Sequence, residues 1–127
     1  MTKNFSKSEF ECKCGKCEMP KEVYLNLIKV ANQLQLLRNH FGASIKINSG
    51  YRCPEHNENI GGSTRSQHKL GTGADIVVKG WHSSLVYEEI DRLRSEGEIL
   101  QGGLGKYDTF THFDLRGTRA RWDNSTK

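Results

Sequence analysis

Val23, Leu27, Val30, Leu34, Leu37 and Phe41 recur at alternating spacings of four and three. That period gathers apolar side chains on one face of an α-helix. Pro20 suits the first turn of such a helix, and Gly42 is a natural stop. A long helix with one apolar stripe has to bury it against a second layer, and this requirement narrows the folds open to the chain. The layer is supplied downstream. Ser44-Ile45-Lys46-Ile47-Asn48 alternates like a half-buried strand, and Ala74 to Val78 reads as a second strand. Ser83 can cap another helix running through Leu85, Val86, Ile90 and Leu93 to Gly97. Two short strands follow, Gly103 to Lys106 and Phe110 to Leu115, joined by a turn at Tyr107-Asp108-Thr109. This order predicts an α+β domain with helices packed against a small, mainly antiparallel sheet.

The length of 127 residues suits a single domain spanning 1–127, with a cysteine-containing segment at about 1–19 leading into it. No apolar run approaches the roughly 20 residues that span a bilayer. The opening residues Met1 to Ser6 lack the apolar stretch of a secretory signal, so no signal peptide is visible and the localisation stays open. The 19 Lys and Arg exceed the 15 Asp and Glu, a modest excess compatible with an acidic polymer. No basic run is interleaved with aromatics, so nucleic acid is not the expected partner.

Ser49 to Gly73 is polar and rich in Gly, Ser and Asn, with room for a short helix after Pro54. An ordered loop of this length in a small domain is usually functional. It ends in Ser66-Gln67-His68-Lys69-Leu70-Gly71-Thr72-Gly73-Ala74-Asp75, where two glycines between His68 and Asp75 permit a tight turn. Zinc accepts imidazole nitrogen and carboxylate oxygen, and a catalytic site has three protein ligands with one position open. His112 is the natural third ligand, since strand alternation places Phe110, His112 and Asp114 on one face.

These residues belong to an ordered series: Asn48-Ser49-Gly50-Tyr51-Arg52, His56-Asn57, Gly61-Gly62, Ser66-Gln67-His68, Gly71, Ala74-Asp75-Ile76, Gly103, His112-Phe113-Asp114 and Arg121-Trp122. The series resembles the zinc D-Ala-D-Ala carboxypeptidases and phage endolysins, especially their short single-domain members. The resemblance runs from about Phe5 to Trp122. It implies the fold shared with the hedgehog signalling domain and zinc held by His68, Asp75 and His112. It also implies a peptidoglycan hydrolase whose substrates are stem or cross-link peptides, expected to act as a monomer on the bacterial cell wall. Carboxypeptidase and endopeptidase cleavage both stay open.

The resemblance further implies that Arg52 takes part in catalysis and grips a substrate carboxylate, a task suited to the guanidinium fork. Ser66 is expected to join it in binding substrate. The plainer reading of Arg52 is a surface pair with Glu55 or Glu58. The chain departs from the family at the general base: Thr109 stands three residues before His112, where many relatives carry an acid. Asp114 is the favoured base because it shares a strand face with His112, and Asp108 is the runner-up. Asp114 can equally serve to orient a ligand histidine. His40, at a helix end, and His56, expected near the cleft, are not expected ligands. Cys12, Cys14, Cys17 and Cys53 permit a structural zinc site or one or two disulfides, with Cys53 close enough to join the other three. Two rival functions remain: a zinc-containing wall- or protein-binding module of the same fold that hydrolyses nothing, and a zinc-ribbon-like nucleic-acid binder built on the cysteines.

Overall fold

A computed structural model describes residues 1–126 of the chain. Three α-helices and five strands form an α+β domain: α1 (Lys21–Phe41), β1 (Ile45–Ser49), α2 (Pro54–Asn59), β2 (Gly73–Val78), α3 (Ser83–Ser95), β3 (Gly103–Lys106), β4 (Thr111–Asp114) and β5 (Ala120–Asp123). Short 3-10 turns lie at Lys7–Phe10 and Gln67–Leu70. None of the described helices is long and apolar enough to cross a membrane.

The apolar stripe of α1 is buried along its whole length, from Val23 to Phe41. Leu27, Leu34 and Leu37 are fully buried, so truncating any one to alanine would cost about 2–5 kcal/mol. Gly42 ends the helix at φ 63°, with its N–H bonded to the Arg38 carbonyl, a left-handed cap that glycine adopts without strain. Pro20 stands just before the helix rather than in its first turn. The second long helix also starts one residue from the expected place. His82 caps it by accepting from the Ser84 N–H, while Leu85 faces solvent.

The strand order is β1-β2-β4-β3-β5. All pairs are antiparallel except β3 with β5, which runs parallel. β5 is absent from the sequence reading, because its partly polar Ala-Arg-Trp-Asp lacks a clean alternation. Helices α1 and α3 pack against one face of the sheet, which carries Ala74, Ile76, Leu104 and Phe113 in the core. On the other face the registers align one row across all five strands. Ser49 pairs with Asp75, Asp75 with His112, His112 with Gly105, and Gly105 with Trp122. That row forms the floor of the site.

Candidate metal centre

Sheet register sets two of the three expected ligands. Asp75 and His112 are direct cross-strand partners on the open face. The pleat sends them to the same side while Ala74 and Phe113 go into the core. His68 arrives from the 3-10 turn, whose start is capped by Ser66 Oγ accepting from the His68 N–H at 3.1 Å. The turn closes on Gly71 at φ 73°, with its N–H bonded back to the Gln67 and His68 carbonyls. The His68 carbonyl also accepts from the Arg52 N–H at 3.1 Å, which ties the loop to the end of β1.

The result is a buried His68–Asp75–His112 cluster whose candidate ligand atoms all lie within 4.8 Å of one another. Asp75 Oδ1 is 3.2 Å from His68 Nε2 and 2.9 Å from His112 Nδ1. The far nitrogen of each ring is already engaged. His68 Nδ1 lies 2.6 Å from the Gly50 carbonyl, which can only accept, so this nitrogen carries the proton. His112 Nε2 lies 2.7 Å from Asp114 Oδ2 and donates to that carboxylate. In neutral imidazoles, the two remaining nitrogens then present lone pairs, aimed with a carboxylate oxygen at one point. Three converging acceptors repel one another unless a cation lies among them or both buried rings are protonated. A bound divalent metal satisfies all three, so the donor set fits one.

Burial would push the Asp75 carboxyl up, but without an ion the rings of His112 and His68, protonated toward it, hold it well below the usual carboxylate range. Its outer oxygen, Oδ2, accepts from Arg52 at 3.3 Å. Arg52 reaches Ser49 Oγ and Asn57 Oδ1 as well, each at 3.2 Å. It therefore faces the site and does not form the surface pair with Glu55 or Glu58.

The cleft above the cluster has a volume of about 570 Å3. Arg52, Arg65, Ser66, Gln67, Tyr107, Phe110, Arg116 and Trp122 line it. Tyr107 and Phe110 stack at 4.3 Å, and Trp122 lies 5.2 Å from the His112 ring and donates to the Tyr107 hydroxyl.

The favoured general base, Asp114, does not line the cleft. It is fully buried behind His112, on the opposite edge of the ring from Asp75. It accepts from five donors: His112 Nε2, the Gly103 N–H, and the Arg116 N–H, Nε and Nη2. Burial would raise its carboxyl, but His112 and Arg116 hold it well below the usual range. A carboxylate held by so many donors is a weak base. The orienting duty fits instead, in the carboxylate–histidine–metal arrangement. Asp108 is exposed on the β3–β4 turn and binds the Thr126 N–H and hydroxyl. His56 borders a different cavity, beside the cysteines, rather than the cleft. His40 pairs with Glu89 at 2.6 Å.

Arg116 is the participant that sequence reasoning missed. Its signal was its place two residues after Asp114, on the same side of the extended chain. Arg94 was missed too. It is buried and donates to the Leu100, Gly103 and Asp114 carbonyls at 2.8, 2.8 and 2.6 Å. Its position four residues after buried Ile90 marks it as inward-facing.

Two histidines and an aspartate that converge at an open polar cleft can hold a metal ion with a position left for substrate or water, as a metallopeptidase requires. The chain belongs to the Peptidase M15 family, whose sequence model matches residues 3–114. The match contains Arg52, Ser66, His68, Asp75, His112 and Asp114, whereas Arg116 and β5 lie beyond it. Among curated proteins the comparison found no match.

Proposed function

We propose that the protein is a zinc-dependent peptidase that hydrolyses peptidoglycan stem or cross-link peptides, with His68, Asp75 and His112 as metal ligands. The observation that carries this reading is the hydrogen-bond arrangement: Gly50 and Asp114 engage the far ring nitrogens, so that in neutral rings two lone pairs and Asp75 Oδ1 converge. Zinc bound there would polarise a scissile carbonyl and lower the pKa of water beside it. Three protein ligands leave room for that water, as in catalytic rather than structural sites.

The protein's own groups do the rest. Asp114 keeps the His112 proton on Nε2, and Gly50 keeps the His68 proton on Nδ1. Arg52 holds the outer oxygen of Asp75 and presents its guanidinium to the cleft, where it can bind a substrate carboxylate or a developing oxyanion. Ser66 shapes the loop through the His68 N–H and borders the same space. Arg65 and Arg116 add positive charge. Stem peptides bear carboxylates and small D-alanyl methyl groups, which suit a cationic wall and the Tyr107–Phe110–Trp122 aromatic wall. The reading takes the protein to act as a monomer at the bacterial cell wall.

One observation favours a second reading, a metal-holding wall-binding module without turnover: among the described residues, no carboxylate besides Asp75 lines the cleft. Digestion of purified peptidoglycan with and without chelator, read by mass spectrometry, separates the two. Metal-dependent release of peptide fragments or D-alanine supports the peptidase and identifies the bond cut. Co-sedimentation with the wall and no released product at full metal occupancy selects the binding module.

A further inference from the structure

We propose that Cys12, Cys14, Cys17 and Cys53 form a second metal centre, a structural tetrathiolate site for one zinc ion that staples the N-terminal segment to the loop carrying Arg52. The four sulfurs converge although Cys53 is far along the chain from the others, and their ligand atoms all lie within 4.8 Å of one another. Cys12 and Cys53 Sγ are 3.7 Å apart, Cys14 and Cys17 are 3.4 Å apart, and Cys53 and Cys14 are 3.9 Å apart. Four sulfurs at the usual zinc–sulfur distance of about 2.3 Å, set tetrahedrally, are separated by about 3.8 Å. The cluster thus has the dimensions of a closed zinc site before any ion is placed in it.

The backbone around the sulfurs is arranged for thiolates. The N–H groups of Lys16 and Cys17 both point at Cys14 Sγ, each at 3.4 Å. They are turned there by Gly15, whose φ of 71° lies in the left-handed region. The Cys53 N–H donates to Cys12 Sγ at 3.3 Å, and the His56 N–H to Cys53 Sγ at 3.4 Å. Three of the four sulfurs therefore receive backbone donors, which stabilise negative sulfur far more than a neutral thiol. Lys13 and Lys16 border the adjoining cavity and offset the charge of a tetrathiolate. On binding, the thiols release their protons to solvent and no electrons are transferred.

The segment needs such a staple. From Glu11 to Pro20 it has neither helix nor strand, and only Cys12 and Met19 pack against the core. On its far side the centre grips Cys53, which adjoins Arg52 and caps α2. The neighbouring Tyr51 N–H bonds the Phe10 carbonyl at 2.8 Å. A metal here would hold the two strands of this junction together and so steady the base of Arg52. The proposal does not depend on the histidine site being catalytic or even occupied.

The test uses the full chain, reduced and reconstituted anaerobically with cobalt(II) or zinc. Native mass spectrometry counts bound ions, and absorption reads sulfur-to-cobalt charge transfer with the intense visible bands of tetrahedral thiolate coordination. A His68→Ala/His112→Ala variant should still bind one ion with that spectrum. Cys17→Ser, at an exposed position, should lose the charge-transfer band or bind the ion far more weakly. Should that variant fail to fold, the wild-type protein decides: zinc should shield all four cysteines from a thiol reagent until chelator is added. The proposal is overturned if the histidine variant binds no metal or lacks the sulfur signature. It is equally overturned if all four thiols react freely in zinc-loaded protein, or if protein purified with zinc has the lower intact mass of a disulfide.

Discussion

Replacing Asp114 with asparagine distinguishes the two duties a carboxylate at this position can have. The five donors around Asp114 divide between its oxygens: His112 Nε2 and Arg116 Nη2 face Oδ2, the Gly103 and Arg116 N–H groups face Oδ1, and Arg116 Nε lies near both. An amide must present its NH2 to one of these sets. If it turns toward His112, it donates to Nε2, the ring proton moves to Nδ1, and the lone pair aimed at the metal site is lost. If it turns toward Gly103, two N–H donors lose their acceptor, at about 1–3 kcal/mol each. That conformer is destabilised by about 2–6 kcal/mol, whereas the first deprives only Arg116 Nη2, on a part-exposed side chain, of its acceptor, so the first is favoured. Asp114→Asn should therefore weaken metal binding by about 10–100-fold, the usual effect of removing a partner that orients a ligand. The assay is competition against a chromophoric chelator, followed by turnover at saturating metal. A proton shuttle would behave oppositely, with unchanged metal affinity and turnover reduced by about 10²–10⁴-fold at full occupancy. That outcome would refute the orienting role.

Arg52→Ala should raise KM for carboxylate-bearing substrates by about 10–100-fold at saturating metal, the effect of a lost charge-assisted bond of about 1.5–3 kcal/mol; an unchanged KM would remove it from substrate binding. Arg94→Met removes the side-chain donors to the buried Gly103 and Asp114 carbonyls and should lower unfolding free energy in urea by about 2–6 kcal/mol. Gly71→Ala places a Cβ at φ 73°, 2.7 Å from the Val23 carbonyl oxygen. It should destabilise the fold by at least about 1–3 kcal/mol and loosen His68. Hydrogen bonds from Arg92 and then His40 lower the Glu89 carboxyl from its ordinary 4.5 to about 2. Because the folded value is depressed, the stabilisation is complete above 4.5 and is lost as pH falls toward 2. Glu89→Gln should thus be less stable than wild type at neutral pH, and denaturation midpoints should show the gap closing across that window.

The helix–sheet architecture was readable because its signals are local. The four-and-three spacing of α1 and the alternation of β1 and β2 depend only on neighbours in the chain. The convergence of His68, Asp75 and His112 was readable for a different reason. His68 and Asp75 are joined by a glycine-bracketed turn, and His112 sits on a strand with alternating faces. What escaped was long-range pairing. β5 is a strand because it lies parallel to β3, and nothing within Ala120–Asp123 announces that partner. Asp114 and His112 share a strand and lie close together, but spacing alone does not tell which edge of the imidazole the carboxylate meets. That depends on the Gly103 N–H and on Arg116, which draw the carboxylate behind the ring. The convergence of the four cysteines was expected from the sequence, whereas its route was not: Cys53 caps α2 beside the N-terminal segment.

The same register that brings Asp75 and His112 together leaves the cleft little room for change. Asp75 and His112 are cross-strand neighbours, so a one-residue slip of β2 against β4 would send one of them into the core. The next positions in the row make room for a ring. Gly105 lies beneath the Trp122 indole, where any Cβ would overlap it, and Trp122 in turn packs beside His112. Gly62 is similarly confined, since a Cβ there would overlap the Asn57 carboxamide and approach Arg52 Nη1 to 3.1 Å. The glycines of the cleft are therefore spaces reserved for the tryptophan and the arginine that border the candidate metal site. Their substitution should act on substrate binding through those side chains, even where the three ligands themselves remain in place.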